Sequence, residues 1–292
     1  MKAIVFGACI DLGCHIDGAR WGADALAETA EKAGAECRMV YPSPSVIKST
    51  DPQDHRKNEA EINHFNEQLY HEVRRGIQEN RFPITVGGDH AAAIGSALAA
   101  KEENNDLGII WIDAHTDYNT PASTITGNVH GFPLACITGY DCADFRTFFH
   151  GTCYDPKRTV VIGARSIDEQ EAVNVKDAGI TVFTMPDIHR LGMQQIMQEA
   201  FQIAGNDHGQ IHVSYDIDAI DSALAPGVST PVAAGLTLEE AQQTNTYFMQ
   251  HIAQISSYDL VEFNPEYDQN GKTKAIADRL LLDLLHAVSS KH

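Results

Sequence analysis

The stretch Gly108-Ile109-Ile110-Trp111-Ile112-Asp113-Ala114-His115-Thr116-Asp117 decides how the chain reads. Its first five residues are apolar without alternation, as expected of a strand covered on both faces of a parallel sheet. The apolar run stops at an acid, and Asp-x-His-x-Asp follows at once. Similar short runs lie at 2–7, 37–41, 83–87, 158–163, 181–185, 210–215 and 255–261. Between them, amphipathic stretches near 22–33, 57–80, 91–102, 168–178, 187–204, 237–250 and 273–288 have helical period. Strand–helix alternation predicts an α/β fold with a parallel sheet. No linker, repeat or low-complexity tract interrupts it, so residues 1–292 read as one domain. Eight strands suit a closed barrel and an open doubly wound sheet alike. Both put functional residues in loops beyond the C-terminal strand ends.

Composition narrows the function. The chain carries 21 Lys and Arg against 40 Asp and Glu, a formal net charge of −19. That balance argues against a nucleic-acid or anionic-membrane partner, since both need a basic face. A charged fraction of 21% beside 43% apolar residues is globular and not disordered. No run of about 18 apolar residues exists to span a membrane. The start, Met1 to Ile10, is a short apolar run ending at Asp11 without a small-residue cleavage site, and reads as a buried first strand. The six cysteines (9, 14, 37, 136, 142, 153) form no C-x-x-C and read as reduced thiols in a cytoplasmic protein.

Four strand ends carry the chemistry. Gly87-Gly88-Asp89-His90 follows the third run and Asp113-Ala114-His115-Thr116-Asp117 the fourth. Asp216-Ile217-Asp218 follows the seventh and Glu262-Phe263-Asn264-Pro265 the eighth. In extended backbone the i, i+2, i+4 spacing would place Asp113, His115 and Asp117 on one side, and Asp216 with Asp218 likewise. Singly, a D-x-D is usually a solvated turn and a G-G-D-H a tight turn with a helix cap. Together they are four carboxylates and two imidazoles, and packed carboxylates repel and resist ionising. Two divalent cations would cancel the four negative charges. A carboxylate-rich set without thiolate favours hard or borderline ions such as Mn²⁺.

These motifs, in this order, resemble the ureohydrolase superfamily of arginases, agmatinases and relatives. The likeness extends through Ala225-Pro226-Gly227-Val228-Ser229-Thr230-Pro231 and Val261-Glu262-Phe263-Asn264-Pro265. It implies a three-layer α/β/α fold with an open eight-stranded parallel sheet, in place of a barrel. It also implies two Mn²⁺ per chain and a homotrimer or homohexamer. By this resemblance His90 and Asp117 are terminal ligands of one ion, His115 and Asp218 of the other, with Asp113 and Asp216 bridging. The implied reaction is attack of a metal-bridging hydroxide on a guanidinium carbon, releasing urea and an amine. Asp117 would help orient the hydroxide, Glu262 would hold the guanidinium, and His130 would shuttle protons.

The loop after the fourth strand is more similar to arginases than to agmatinases. Asn119, Thr126 and Asn128 stand where arginases surround an α-carboxylate, and Asp168 and Glu171 where they hold acids for an α-ammonium. Thr230 matches a threonine near the guanidinium pocket. The implied substrate is L-arginine, hydrolysed to L-ornithine and urea. Three departures, Thr126 for serine, Ser222 for proline and Ser229 for glycine, leave a formimidoylglutamase, agmatinase or guanidino-acid hydrolase open. Two other classes fit less well. A metallophosphoesterase would need a G-D-x-x-D and a final G-H-x-H, and a zinc deacetylase would need only one ion.

Overall fold

The computed structural model describes residues 2–49, 51–206 and 209–290. Eight strands form one sheet: β1 (Lys2–Ala8), β2 (Glu36–Val40), β3 (Arg81–Val86), β4 (Leu107–Ile112), β5 (Thr159–Ala164), β6 (Thr181–Thr184), β7 (Gln210–Asp216) and β8 (Ile255–Val261). Every pairing is parallel, in the order β2-β1-β3-β8-β7-β4-β5-β6. The sheet is open, so the barrel alternative falls away. Each strand end carrying a motif, on β3, β8, β7 and β4, is next to another in this order. A dozen or more residues separate consecutive strands, as parallel pairing requires.

Nine helices among the described residues cover the sheet: α1 (Ala19–Lys32), α2 (Glu59–Gln78), α3 (Ala93–Glu103), α4 (Pro133–Thr138), α5 (Glu169–Ala178), α6 (Met185–Leu191), α7 (Met193–Gly205), α8 (Leu238–Gln250) and α9 (Lys272–Ser289). One core joins α1, α6, α7, α8 and α9 to the face carrying Val5, Ile84, Ile110, Ile162 and Val213. The other joins α2, α3, α4 and α5 to the face carrying Ile4, Phe6, Ile109, Trp111 and Val161. The odd–even split along each strand is the pleat, and it produces the three layers.

Two helices differ from the sequence expectation. The stretch 187–204 is two helices, because Gly192 (φ 82°, ψ 145°) leaves helical geometry between them. Helix α4 was not expected. Its six residues are all buried, so it has no polar face to reveal a period. Pro133 opens it and Gly139 in the left-handed region closes it.

The turn after β3 needs its glycines. Gly87 and Gly88 both have positive φ (72° and 74°), and a Cβ on Gly87 would lie 2.2 Å from the Ala23 backbone nitrogen. This close approach sets α1 against the end of β3, immediately before His90. Gly87→Ala should therefore cost about 2 kcal/mol or more of stability in urea unfolding, from left-handed strain plus overlap with rigid backbone. A loss under about 0.5 kcal/mol, the scatter of neutral surface changes, would mean the turn relaxes freely.

Candidate metal centre

His90 begins a 3₁₀ turn whose cap is Asp89, which accepts from the Ala91 amide at 3.0 Å and from the Gly13 amide at 2.6 Å. The cap reading of G-G-D-H thus holds for Asp89, while His90 points inward. Its Nδ1 lies 3.1 Å from Asp113 Oδ2, 3.0 Å from Asp117 Oδ2 and 3.2 Å from Asp216 Oδ2. His115 Nδ1 lies 3.3 Å from Asp113 Oδ1 and 3.2 Å from Asp218 Oδ2. Two groups of metal-type donors result, His90/Asp113/Asp216 and Asp113/His115/Asp218, and Asp113 belongs to both. All six expected ligands are therefore together.

The backbone brings them there differently from the sequence expectation. Strand β4 stops at Ile112 and β7 ends at Asp216. Asp218 sits in a 3₁₀ turn, with its amide donating to Asp216 Oδ1 at 2.7 Å. Asp117 has a left-handed φ of 48°. Its carbonyl accepts from the Leu134 and Ala135 amides at the start of α4, which pins the unusual backbone. Turns, and not the alternation of an extended strand, aim these side chains at one point.

The strands do supply supports that the motifs did not reveal. Trp111 and Ser214 stand two residues before Asp113 and Asp216, on the same face, and are register partners on β4 and β7. The Trp111 ring stacks on His90 with centroids 4.0 Å apart, and its Nε1 donates to Asp113 Oδ2 at 2.9 Å. Ser214 Oγ pairs with His90 Nε2 at 2.8 Å. A proton held on that nitrogen leaves Nδ1 as a lone-pair donor facing the acids. An aromatic or hydroxyl residue two positions before a strand-end acid was the available signal.

The electrostatics are those of a site short of positive charge. Burial, with Asp113 beside it, raises the Asp117 carboxyl to about 7. Burial and the charges of Asp218 and Asp113 push Asp216 well above the usual carboxylate range. Burial opposes the cationic forms of His90 and His115. Close polar contact with Asp113, Asp117 and Asp216 for His90, and with Asp218 and Asp113 for His115, outweighs it and raises both well above 6.5. Without cations the cluster keeps protons. His90 Nδ1 is buried and has no sound hydrogen bond despite three oxygens around it. Neighbouring donors about a six-coordinate dication with bonds near 2.1 Å stand about 3 Å apart, the spacing found here. Carboxylates with one imidazole per group fit hard or borderline ions.

Beside the cluster is a cavity of about 200 Å³. Asn119, Thr126, Asn128, Asp168, Glu171 and Thr230 all line it, as do His115, Asp117, Asp216 and His130. Larger clefts exist, such as one of about 720 Å³ between α7 and α8, but among the described residues no metal-type cluster opens on it. Glu262, in left-handed backbone (φ 65°), accepts from the His90 amide at 2.8 Å and pairs with His130 Nδ1 at 3.0 Å through Oε1. Its buried Oε2 has no hydrogen-bond partner among the described residues. Burial would raise the Glu262 pKa, but the His130 cation and hydrogen bonds hold it below the usual range. Thr230 Oγ1 donates to Asp218 Oδ2 at 3.2 Å.

Asn119 Nδ2 donates to Asp168 Oδ2 at 3.2 Å, and Ser123 Oγ donates to Asn119 Oδ1 at 2.9 Å. Asn128 Nδ2 contacts His15 Nδ1 at 2.9 Å. Glu171 is occupied internally. It accepts from Thr116 Oγ1 (2.6 Å) and the Tyr118 amide (2.9 Å), and at its other oxygen from the Asp168 amide (3.1 Å). Two of the residues that depart from the family pattern are placed. Ser229 Oγ meets Asn264 Nδ2 at 3.1 Å, and Thr126 Oγ1 accepts from the Asn128 amide at 3.2 Å. Arg165, adjacent to the expected acids, donates to the carbonyls of Asp218, Ala219 and Val232 and ties their two loops together.

Fold and cluster together define a hydrolase of the arginase family: the family's sequence profile matches residues 1–287, and the chain belongs to it. It is accordingly a hydrolase acting on a guanidino C–N bond. Among its relatives is an arginase of Staphylococcus aureus, 37% identical over 237 residues, covering 80% of this chain and 78% of that one. The arginase structure from Bacillus caldovelox superposes with a TM-score of 0.89 at 32% identity, covering 98% of both chains. An Entamoeba histolytica arginase in complex with L-ornithine gives 0.88 at 27% identity, covering 97% of both.

Replacing Glu171 tests whether it organises this wall. Glu171→Ala leaves two buried donors, Thr116 Oγ1 and the Tyr118 amide, and the part-buried Asp168 amide unpaired, and should cost about 2–3 kcal/mol in urea unfolding. A change under about 0.5 kcal/mol would show that these donors find other partners.

Proposed function

We propose that this hydrolase converts L-arginine to L-ornithine and urea, using two Mn²⁺ held by His90, Asp113, Asp117, His115, Asp216 and Asp218. The observation that carries the reading is that two donor groups sharing Asp113 adjoin a cavity whose rims differ in charge. Asp168, with Asn119 against it, makes one rim acidic. Behind the other, formed by Thr126, Asn128 and His15, the Lys57 ammonium donates to the Thr126 carbonyl at 2.5 Å. An α-ammonium suits the first rim and an α-carboxylate the second, which describes an amino acid. Agmatine has no carboxylate to use the second rim.

Bound at the cluster, two dications supply the positive charge that acidifies water towards neutral pH. The protein's own groups do the rest. Glu262 Oε2, buried and unpartnered, is free to accept from the guanidinium and fix its plane. Asp117, at the cavity wall, accepts a hydrogen bond from the attacking water and aligns it. As oxygen bonds to the guanidinium carbon and the C–N bond to the side chain breaks, the leaving amine needs a proton. His130, held through Nδ1 by Glu262, is placed to deliver it. In the same reading the chain is a single cytoplasmic domain assembling as a homotrimer or homohexamer. No helix among the described residues is long and apolar enough to cross a membrane.

The test is urea release from arginine, agmatine, guanidinobutyrate and formiminoglutamate by Mn²⁺-loaded protein. Arginine should be hydrolysed most efficiently; equal or faster turnover of another member would overturn the arginine assignment. Metal analysis should find two Mn²⁺ per chain and His115→Asn about one, with turnover reduced by orders of magnitude; a single tightly held Zn²⁺ would contradict the dinuclear centre. Asn119→Ala should raise KM for arginine far more than for agmatine, and equal effects would remove Asn119 from carboxylate recognition.

A further inference from the structure

The loop after β1 contributes Gly13-Cys14-His15, which no motif singled out. The His130 amide donates to the Gly13 carbonyl at 3.1 Å, so this loop is hydrogen-bonded to the 128–131 turn. His15 lines the cavity next to Thr126, Asn128 and His130. As placed, Asn128 Nδ2 donates to His15 Nδ1. That orientation leaves Asn128 Oδ1 buried with no partner, a state that costs about 1–3 kcal/mol for an amide oxygen. It also turns the amide's acceptor, and not its donors, away from His15. An oxygen turned towards a bound carboxylate would repel it.

A half-turn of the amide removes the repulsion and leaves two donors whose missing acceptor a carboxylate would supply. With its proton on Nδ1, His15 donates to Asn128 Oδ1, and Nδ2 takes the place of the unpartnered oxygen with its two donors. The surroundings favour an anion there. Lys57 is buried against Thr126, whose neighbour Asn128 meets His15, while Lys48 is paired with Asp17 at 2.8 Å. In a chain with a formal net charge of −19, Lys57 places one cation behind this side of the cavity.

We propose that His15 is a specificity-determining positioning residue: its ring holds the Asn128 amide with nitrogen towards the substrate, so that the site reads an α-carboxylate. This rests on the amino-acid reading above and adds to it the group that sets Asn128's orientation. Asn128 makes the contact; His15 acts through it.

The experiment is a double-mutant cycle on Mn²⁺-loaded protein, with His15→Ala, Asn128→Ala and both together. The readouts are KM and kcat for L-arginine and the inhibition constant of L-ornithine. His15→Ala should weaken L-ornithine and raise KM by roughly tenfold, the worth of one hydrogen bond to a charged group, while kcat falls much less. In the Asn128→Ala background the same change should have little further effect, since the partner is gone. His15→Gln, whose amide can donate to Oδ1, should restore most of the affinity, and thermal melting checks that each variant is folded. Additive effects in the cycle, or an equal fall in kcat and rise in KM, would overturn the proposal. Absence of urea release from arginine by the unmodified protein would instead overturn the arginine reading itself.

Discussion

Mutual repulsion among four buried carboxylates is the constraint on which the site depends. Asp113, Asp117, Asp216 and Asp218 are at most 6% exposed, and two imidazoles are the cationic partners they face directly. Such a cluster is costly unless positive charge neutralises it. The raised pKa values of Asp117, Asp216, His90 and His115 are the proton-bound answer to that cost. Dications are the alternative, and the donor spacing suits them. Every support around the cluster resists its dispersal: Trp111 on His90 and Asp113, Ser214 on His90, the α4 amides on the Asp117 carbonyl, Arg165 on the loop of Asp218.

The sheet order makes this concentration achievable. Strands β3, β8, β7 and β4 are neighbours, although β3 and β4 precede β7 and β8 by more than a hundred residues of chain. Parallel strands end on the same edge, so four adjacent C-terminal ends converge without long loops. The substrate-side residues come from less regular chain, the 117–130 loop and the start of α5. The loop after β1 closes the wall through His15. Close backbone packing at Gly87 and capping by Asp89 connect the rigid sheet to these loops.

Which side chains would cluster was legible in the sequence because each motif is local, sitting where an apolar run stops. Strand adjacency was not, since pairing between distant segments leaves no local trace; the open sheet came from the family resemblance. Asp117 and Asp218 do join the cluster, but by turns and not along an extended backbone. Gly192 hid inside a continuous apolar period, and α4 had no exposed face to give it a period. Trp111 and Ser214 were visible as alternate positions before strand-end acids, but carried no assigned role. His15 and Lys57 gave no signal, because their role depends on contacts with residues more than sixty positions away.

The charge constraint also explains why the two rims of the cavity matter. With the metal side neutralised, the proposed selectivity would fall to Asp168 on one rim and to Lys57 behind the other. The central claim, that this cluster exists to hold two neighbouring cations, is tested most directly by anomalous X-ray scattering from crystals grown with Mn²⁺. Two peaks about 3.5–4 Å apart, one beside His90 and one beside His115 with Asp113 between them, are the expected result. A single peak, or none within reach of these six side chains, would contradict it.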